Sequence, residues 1–229
     1  MELPRIWITA GSNKRLWGSA GTYKKIPYEA LPPIEGLDSF DWLEKTEGEP
    51  YGMTFENQED PPLDQRVAEA KKEGLVVPKE AVRFLADQDL HSKVPSCTAC
   101  YFELGRLEPI PDHTGPERLL RFMHDQQTCY VWYLLLEPGG RHRVVVAWPE
   151  WKEGVESEDF EDHATPREIT ECASSFEEFI KRFFIENTIW FSANKDKPFT
   201  PEHERYAEAA AAAVARGLVK DSDDGDDDD

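Results

Sequence analysis

The chain of 229 residues carries 46 Asp and Glu against 26 Lys and Arg, a net charge of −20, and removing the seven aspartates of the carboxyl-terminal run still leaves −13. A field of that sign repels phosphate backbones and anionic headgroups, so direct nucleic-acid binding is not expected. The length suits one large domain, and 39% hydrophobic residues with seven Trp, seven Tyr and twelve Phe supply its core.

No stretch reaches the roughly 18 to 20 uninterrupted apolar residues of a membrane span, because Cys129 to Leu136 is stopped by Glu137-Pro138-Gly139. The start Met1-Glu2-Leu3-Pro4-Arg5 lacks the basic region and apolar stretch of a secretory leader, and four cysteines suit reduced thiols. The expected setting is the cytoplasm, with no membrane partner.

Residues 1–62 hold Pro27, Pro32, Pro33, Pro50, Pro61 and Pro62, which argue against long regular elements. Their aromatics, Trp7, Trp17, Tyr23, Tyr28, Phe40, Trp42, Tyr51 and Phe55, argue that this irregular segment packs on the body. From Leu63 the spacing of Leu63, Val67 and Ala70 predicts a helix that Gly74 ends. Pro78 then opens a second helix, with Val82 and Leu85 inward, running to about Gln88. Cys100–Leu104, Leu119–Met123, Tyr130–Leu136 and Arg143–Trp148 read as strands, the last two joined through Gly139-Gly140 as an antiparallel hairpin. Tyr130–Leu136 is apolar on both faces and should be central. Residues 149–173 are acidic and polar and read as an exposed loop, a contact surface. Ser174 and Ser175 precede Glu177 and Glu178 with capping-box spacing, and Phe176, Phe179, Ile180, Phe183 and Phe184 follow the period of a core-facing helix. Thr200-Pro201 opens a last helix, ended by Gly217, and the aspartate-rich residues 219–229 read as a disordered, solvated tail.

The chemistry-bearing residues do not assemble a motif. Cys97 and Cys100 form a lone CxxC, half of a zinc site or a redox pair, yet Cys129 and Cys172 form no second one, so buried thiols are the simpler reading. His124-Asp125 has the look of a base with its orienting carboxylate, with Ser96 or Cys97 as nucleophile. No Gly-x-Ser-x-Gly, Walker loop, Gly-x-Gly-x-x-Gly or His-Glu-x-x-His supports it. No metal, cofactor or catalytic residue is therefore expected. The acidic body is suited to a basic partner, since opposite fields steer association; the plain alternative is charge kept for solubility.

Several segments together resemble the SUKH superfamily, which includes fungal cell-wall regulators of glucan synthesis and many bacterial immunity proteins. They are Pro78 to Leu85, Val94 to Phe102, Asp125 to Leu134 with Gly139-Gly140 and Val144 to Val146, and Ser174 to Ile180 with Glu186 to Phe191. The resemblance covers about residues 63–191 and implies an α+β fold, a mixed and mainly antiparallel sheet flanked by helices, acting as a protein-binding module without catalysis. It implies a domain over 63–218 and a partner that is a toxin, a nuclease or deaminase. The irregular first 62 residues and the aspartate tail depart from the compact family pattern.

Charge and resemblance converge on an immunity-type protein that covers a basic toxin domain. Glu150, Trp151, Glu153, Glu156, Glu158, Asp159, Glu161 and Asp162 are the expected partner-binding residues. A signalling scaffold of the fungal kind is the alternative, and a hydrolase using Cys97 or His124 a more distant one.

Overall fold

The computed structural model describes residues 2–9, 16, 23–37, 39–44, 53, 62–151 and 164–221. In chain order they form β1 (Ile6–Ile8), β2 (Lys24–Pro27), α1 (Asp41–Glu44), α2 (Leu63–Lys72), α3 (Lys79–Ala86) and α4 (Gln88–His91). Then come β3 (Tyr101–Phe102), β4 (Leu107–Pro109), β5 (Arg118–His124), β6 (Val131–Leu136), β7 (His142–Trp151), β8 (Ala164–Ala173), α5 (Phe176–Asn194), α6 (Pro201–Ala215) and β9 (Lys220–Asp221). The protein is α+β.

The main sheet runs β3-β5-β6-β7-β8, with β4 also on β5. Strand β6 has no polar side chain except the Tyr133 hydroxyl and the Trp132 indole, so it can be buried on both faces, and it lies in the middle of the sheet. Trp132, Leu134 and Leu136 enter the large core beneath α5, while Val131, Tyr133 and Leu135 join Leu119, Val145 and Ala147 on the opposite face. The β6–β7 turn works because Gly139 (φ 80°) and Gly140 (φ 79°) accept backbone angles that a Cβ disfavours.

Helix α5 organises the large core. Ser175 Oγ accepts from the Glu178 amide at 3.2 Å, and the Glu178 carboxylate accepts from the Ser174 amide at 3.0 Å, so the cap closes one residue wider than the usual box. Phe176 and Phe179 pack edge-on against Phe122, with ring centroids 5.2 and 5.4 Å away. Each such buried ring contributes about 1.5–3 kcal/mol by leaving water. Phe184 is only half-buried, under Trp42.

A smaller sheet, β1-β2-β9, covers the other flank of α5. Every ladder among the described residues is antiparallel, in keeping with the mainly antiparallel sheet expected. The two sheets meet where Arg5 bridges Glu171 in parallel and the Glu171 amide donates to Pro4 O at 2.8 Å. Side chains reinforce the seam: Glu171 accepts from Arg5 Nε at 2.9 Å and from Arg143 at 2.8 Å.

Four expectations change. Residues 149–173 are not one exposed loop: β7 continues to Trp151 and β8 occupies Ala164–Ala173. The segment before residue 63 keeps to short elements, two strands and a helical turn, whereas the stretch from 219 expected as a disordered tail holds β9, which pairs Asp221 with Lys24. The helix expected to reach Gln88 stops at Ala86, where Asp87 leaves helical geometry and its side chain caps α4 through the Asp89 amide at 3.0 Å. The first strand of the sheet shrinks from Cys100–Leu104 to Tyr101–Phe102. Most of the aspartate tail, residues 222–229, lies outside the described residues.

Candidate partner-binding arm and adjoining cleft

Two of the expected contact residues, Glu150 and Trp151, fall at the end of strand β7. Strand β6 pairs with β7 only as far as Val131–Ala147, whereas β7 and β8 stay paired through Trp148–Arg167, Pro149–Pro166, Glu150–Thr165 and Trp151–Ala164. The last four pairs therefore form a two-stranded arm reaching about 10–13 Å past β6. Two facing prolines, which donate no ladder hydrogen bonds, are compatible with this because the arm's edges need no further strand. The backbone of Glu150 and Trp151 belongs to the arm; Glu153, Glu156, Glu158, Asp159, Glu161 and Asp162 lie outside the described residues.

Trp148 marks the root of the arm. It is 43% exposed, one of two large apolar side chains so exposed among the described residues, and it stands edge-on to Tyr130 at 5.6 Å. Tyr130 packs on Tyr23 at 5.1 Å, and Tyr23 donates to Asp125 Oδ2 at 2.8 Å, so the exposed indole rests on a braced aromatic row. Burial, helped by the nearby Cys100 and Asp125, pushes the Tyr23 phenol far up, so it stays a donor.

Beside Trp148 a cleft of about 590 Å³ opens between the small sheet and β7–β8. Ile6, Ile8 and Ile26 form one wall, Val146 and Ile169 the other, and Lys25, Lys220 and Glu168 stand among them. Strand β8 is bulged here: Val146 pairs Thr170 but Trp148 pairs Arg167, and Glu168 takes φ 48°.

The residues weighed for catalysis do not converge. His124 pairs across the ladder with Val131 on the face away from α5, where its Nε2 meets the Glu103 carboxylate and its ring lies 4.2 Å from that of Tyr101. Asp125, its sequence neighbour, instead accepts from Tyr23 and from the Cys129 amide at 2.7 Å. Cys97 sits on the α5 side, its amide donating to Asn187 Oδ1 at 2.7 Å, and the Ser96 hydroxyl accepts from the Cys100 amide at 2.9 Å to close the loop. Burial pushes the Cys100 thiol up to about 11 and Cys97 further still, which keeps both protonated at neutral pH. Among the described residues, no group of three or more His, Cys, Asp or Glu side chains is placed to hold a metal ion. Nor is any described helix long and apolar enough to cross a membrane.

Sequence reasoning missed the buried polar row of α5. Glu186 accepts from Trp7 Nε1 at 2.9 Å and from the Tyr206 hydroxyl at 2.7 Å, linking β1, α5 and α6. One turn earlier Arg182 is fully buried, 3.5 Å from Glu178 and donating to Pro32 O at 3.2 Å, beneath the ring of Tyr28. The signal was present in the spacing of Glu178, Arg182 and Glu186 at i, i+4 and i+8, but that spacing is equally that of a solvated face.

No protein-family model matches the chain, no curated protein matches it, and no solved structure matches its fold. The class defined by the fold is an α+β protein whose β7–β8 ladder continues past the end of β6.

Proposed function

We propose that this chain is a non-catalytic binding protein of the immunity type, which neutralises a basic toxin domain, a nuclease or deaminase, with the β7–β8 arm. The observation that carries the reading is the arm itself, which extends past its sheet neighbour with Trp148 exposed at its root; an acidic stretch separates its two strands in the sequence. An aromatic anchor beside a charged rim is the arrangement that gives interfaces both affinity and steering. The resemblance of residues 63–191 to the SUKH superfamily supports the immunity role.

The test is affinity capture at low and high salt with the bound protein identified by mass, repeated with Glu158→Lys/Asp159→Lys and with Trp148→Ala. One basic partner is expected, released at high salt, held weakly by the charge reversal, and held about 30-fold less tightly once an anchor worth roughly 2 kcal/mol is removed. Unchanged affinity and salt dependence in the charge-reversed protein sinks the arm as the contact surface.

A further inference from the structure

At the far end of the aromatic row that begins with Trp148 lies a second cavity, of about 340 Å³, between the loops that follow Ser96 and His124. Asp125, Tyr23 and Trp190 line it together with Thr98, Gln126 and Gln127. Asp125 is 3% exposed, and the donors that reach its carboxylate are neutral: the Tyr23 hydroxyl at 2.8 Å, the Cys129 amide at 2.7 Å and the Tyr130 amide at 3.5 Å. Among the described residues no lysine, arginine or histidine lines the cavity. A buried carboxylate held by neutral dipoles keeps its charge uncompensated, and a cation brought beside it gains a charge-assisted hydrogen bond.

The lining carries a single charge. Cys97 also borders the cavity, and burial, then the nearby Cys100 and Glu186, pushes its thiol up, so it stays neutral. One carboxylate matches one positive charge. Two aromatic residues in the lining favour an organic cation, since aromatic surface takes up alkyl groups and attracts positive charge. The volume is at the low end of small-molecule sites and suits a short chain.

We propose that this cavity binds the ammonium group of a short aliphatic amine, with Asp125 as its counter-charge and Tyr23 and Trp190 beside its carbon chain. Such a group can come from a free amine or from a lysine side chain of a protein. The cavity is separate from the β7–β8 arm, so the assignment does not rest on the protein-binding reading. The test is a titration of the isotope-labelled full chain with butylamine hydrochloride, butanol and Nα-acetyl-lysine N-methylamide at constant ionic strength, followed by the NMR signals of its backbone amides. Butylammonium should shift the amides of Thr98, Ala99, Gln126 and Gln127 saturably and bind about tenfold tighter than butanol, the size of one good charged contact. Asp125→Asn should erase that difference, and Gln127→Lys, at an exposed position, should weaken the amine alone. The lysine amide binding as butylamine does assigns the site to a protein side chain, and butylamine binding alone assigns it to a free amine; either result upholds the site. Unsaturable shifts spread over the acidic surface, equal binding of amine and alcohol, or an Asp125→Asn protein that binds the amine as before overturns the proposal. If Asp125→Asn does not fold, the amine-to-alcohol ratio and Gln127→Lys decide it, and unchanged amine binding by Gln127→Lys overturns it.

Discussion

Replacing Glu186 by Leu should destabilise the fold more than any surface change, because one carboxylate serves two buried donors from distant parts of the chain. Trp7 and Tyr206 are each almost fully buried, so neither Nε1 nor the hydroxyl finds water when the acceptor is removed. A hydrogen bond to a charged group contributes about 1.5–3 kcal/mol, which sets the gross loss near 3–6 kcal/mol for two such bonds. Removing a buried carboxylate also relieves its desolvation, so a net loss of about 2–4 kcal/mol is expected, a large share of the roughly 5–15 kcal/mol that holds a domain together. In urea unfolding, with a slope of about 2–3 kcal/mol/M, the midpoint should fall by about 1 M. Glu186→Gln keeps an acceptor oxygen and should lose less than half as much. Combining Glu186→Leu with Tyr206→Phe should cost about 1 kcal/mol or more less than the separate losses summed, since the second change removes a donor already orphaned. A Leu variant within about 0.5 kcal/mol of the native protein, or a Gln variant as damaged as Leu, refutes the claim that this carboxylate joins β1, α5 and α6.

Stability should depend on pH through His91. Burial under Phe84 and Phe102 pushes it down from 6.5 to about 4, and its Nε2 bonds Phe84 O at 2.7 Å. As pH falls below 6.5 the unfolded chain takes up the proton first, so stability declines between about 6.5 and 4, by up to roughly 3 kcal/mol from this residue. His91→Gln should flatten the urea midpoint across that window relative to the native protein; parallel pH profiles would show that His91 is not its source. Gly139→Ala should cost about 1 kcal/mol, and only through backbone strain, since φ is 80° and no atom lies within 4 Å of the added Cβ. An unchanged thermal midpoint would mean that the turn re-forms in another geometry.

How much was legible in the sequence follows the source of each interaction. Helix α5, its serine cap, the β6–β7 hairpin and the central place of β6 depend on residues close together in the chain: a capping residue beside its amide, paired glycines at a turn, an apolar run with no polar face. Their physics is local, so residue order determines them. Strand β8 was not legible, because Ala164 to Ala173 holds two glutamates, an arginine and a proline, and its backbone is fixed by hydrogen bonds to β7 that any side chain permits. The same holds for β1, β2 and β9, only two to four residues long, which exist because they pair with one another across almost the whole length of the chain.

The candidate sites divide in the same way. Net charge and the acidity of residues 150–162 were plain in the sequence, since composition needs no fold. That Glu150 and Trp151 continue strand β7 past the end of β6, that His124 and Cys97 stand on opposite faces of the sheet, and that Lys25 pairs with Lys220 were decided by strand register alone. Register is a long-range property: a shift of one residue sends each side chain to the other face. Pattern in the sequence determines which segments can be buried, and only the assembled sheets determine which side chains then look at one another.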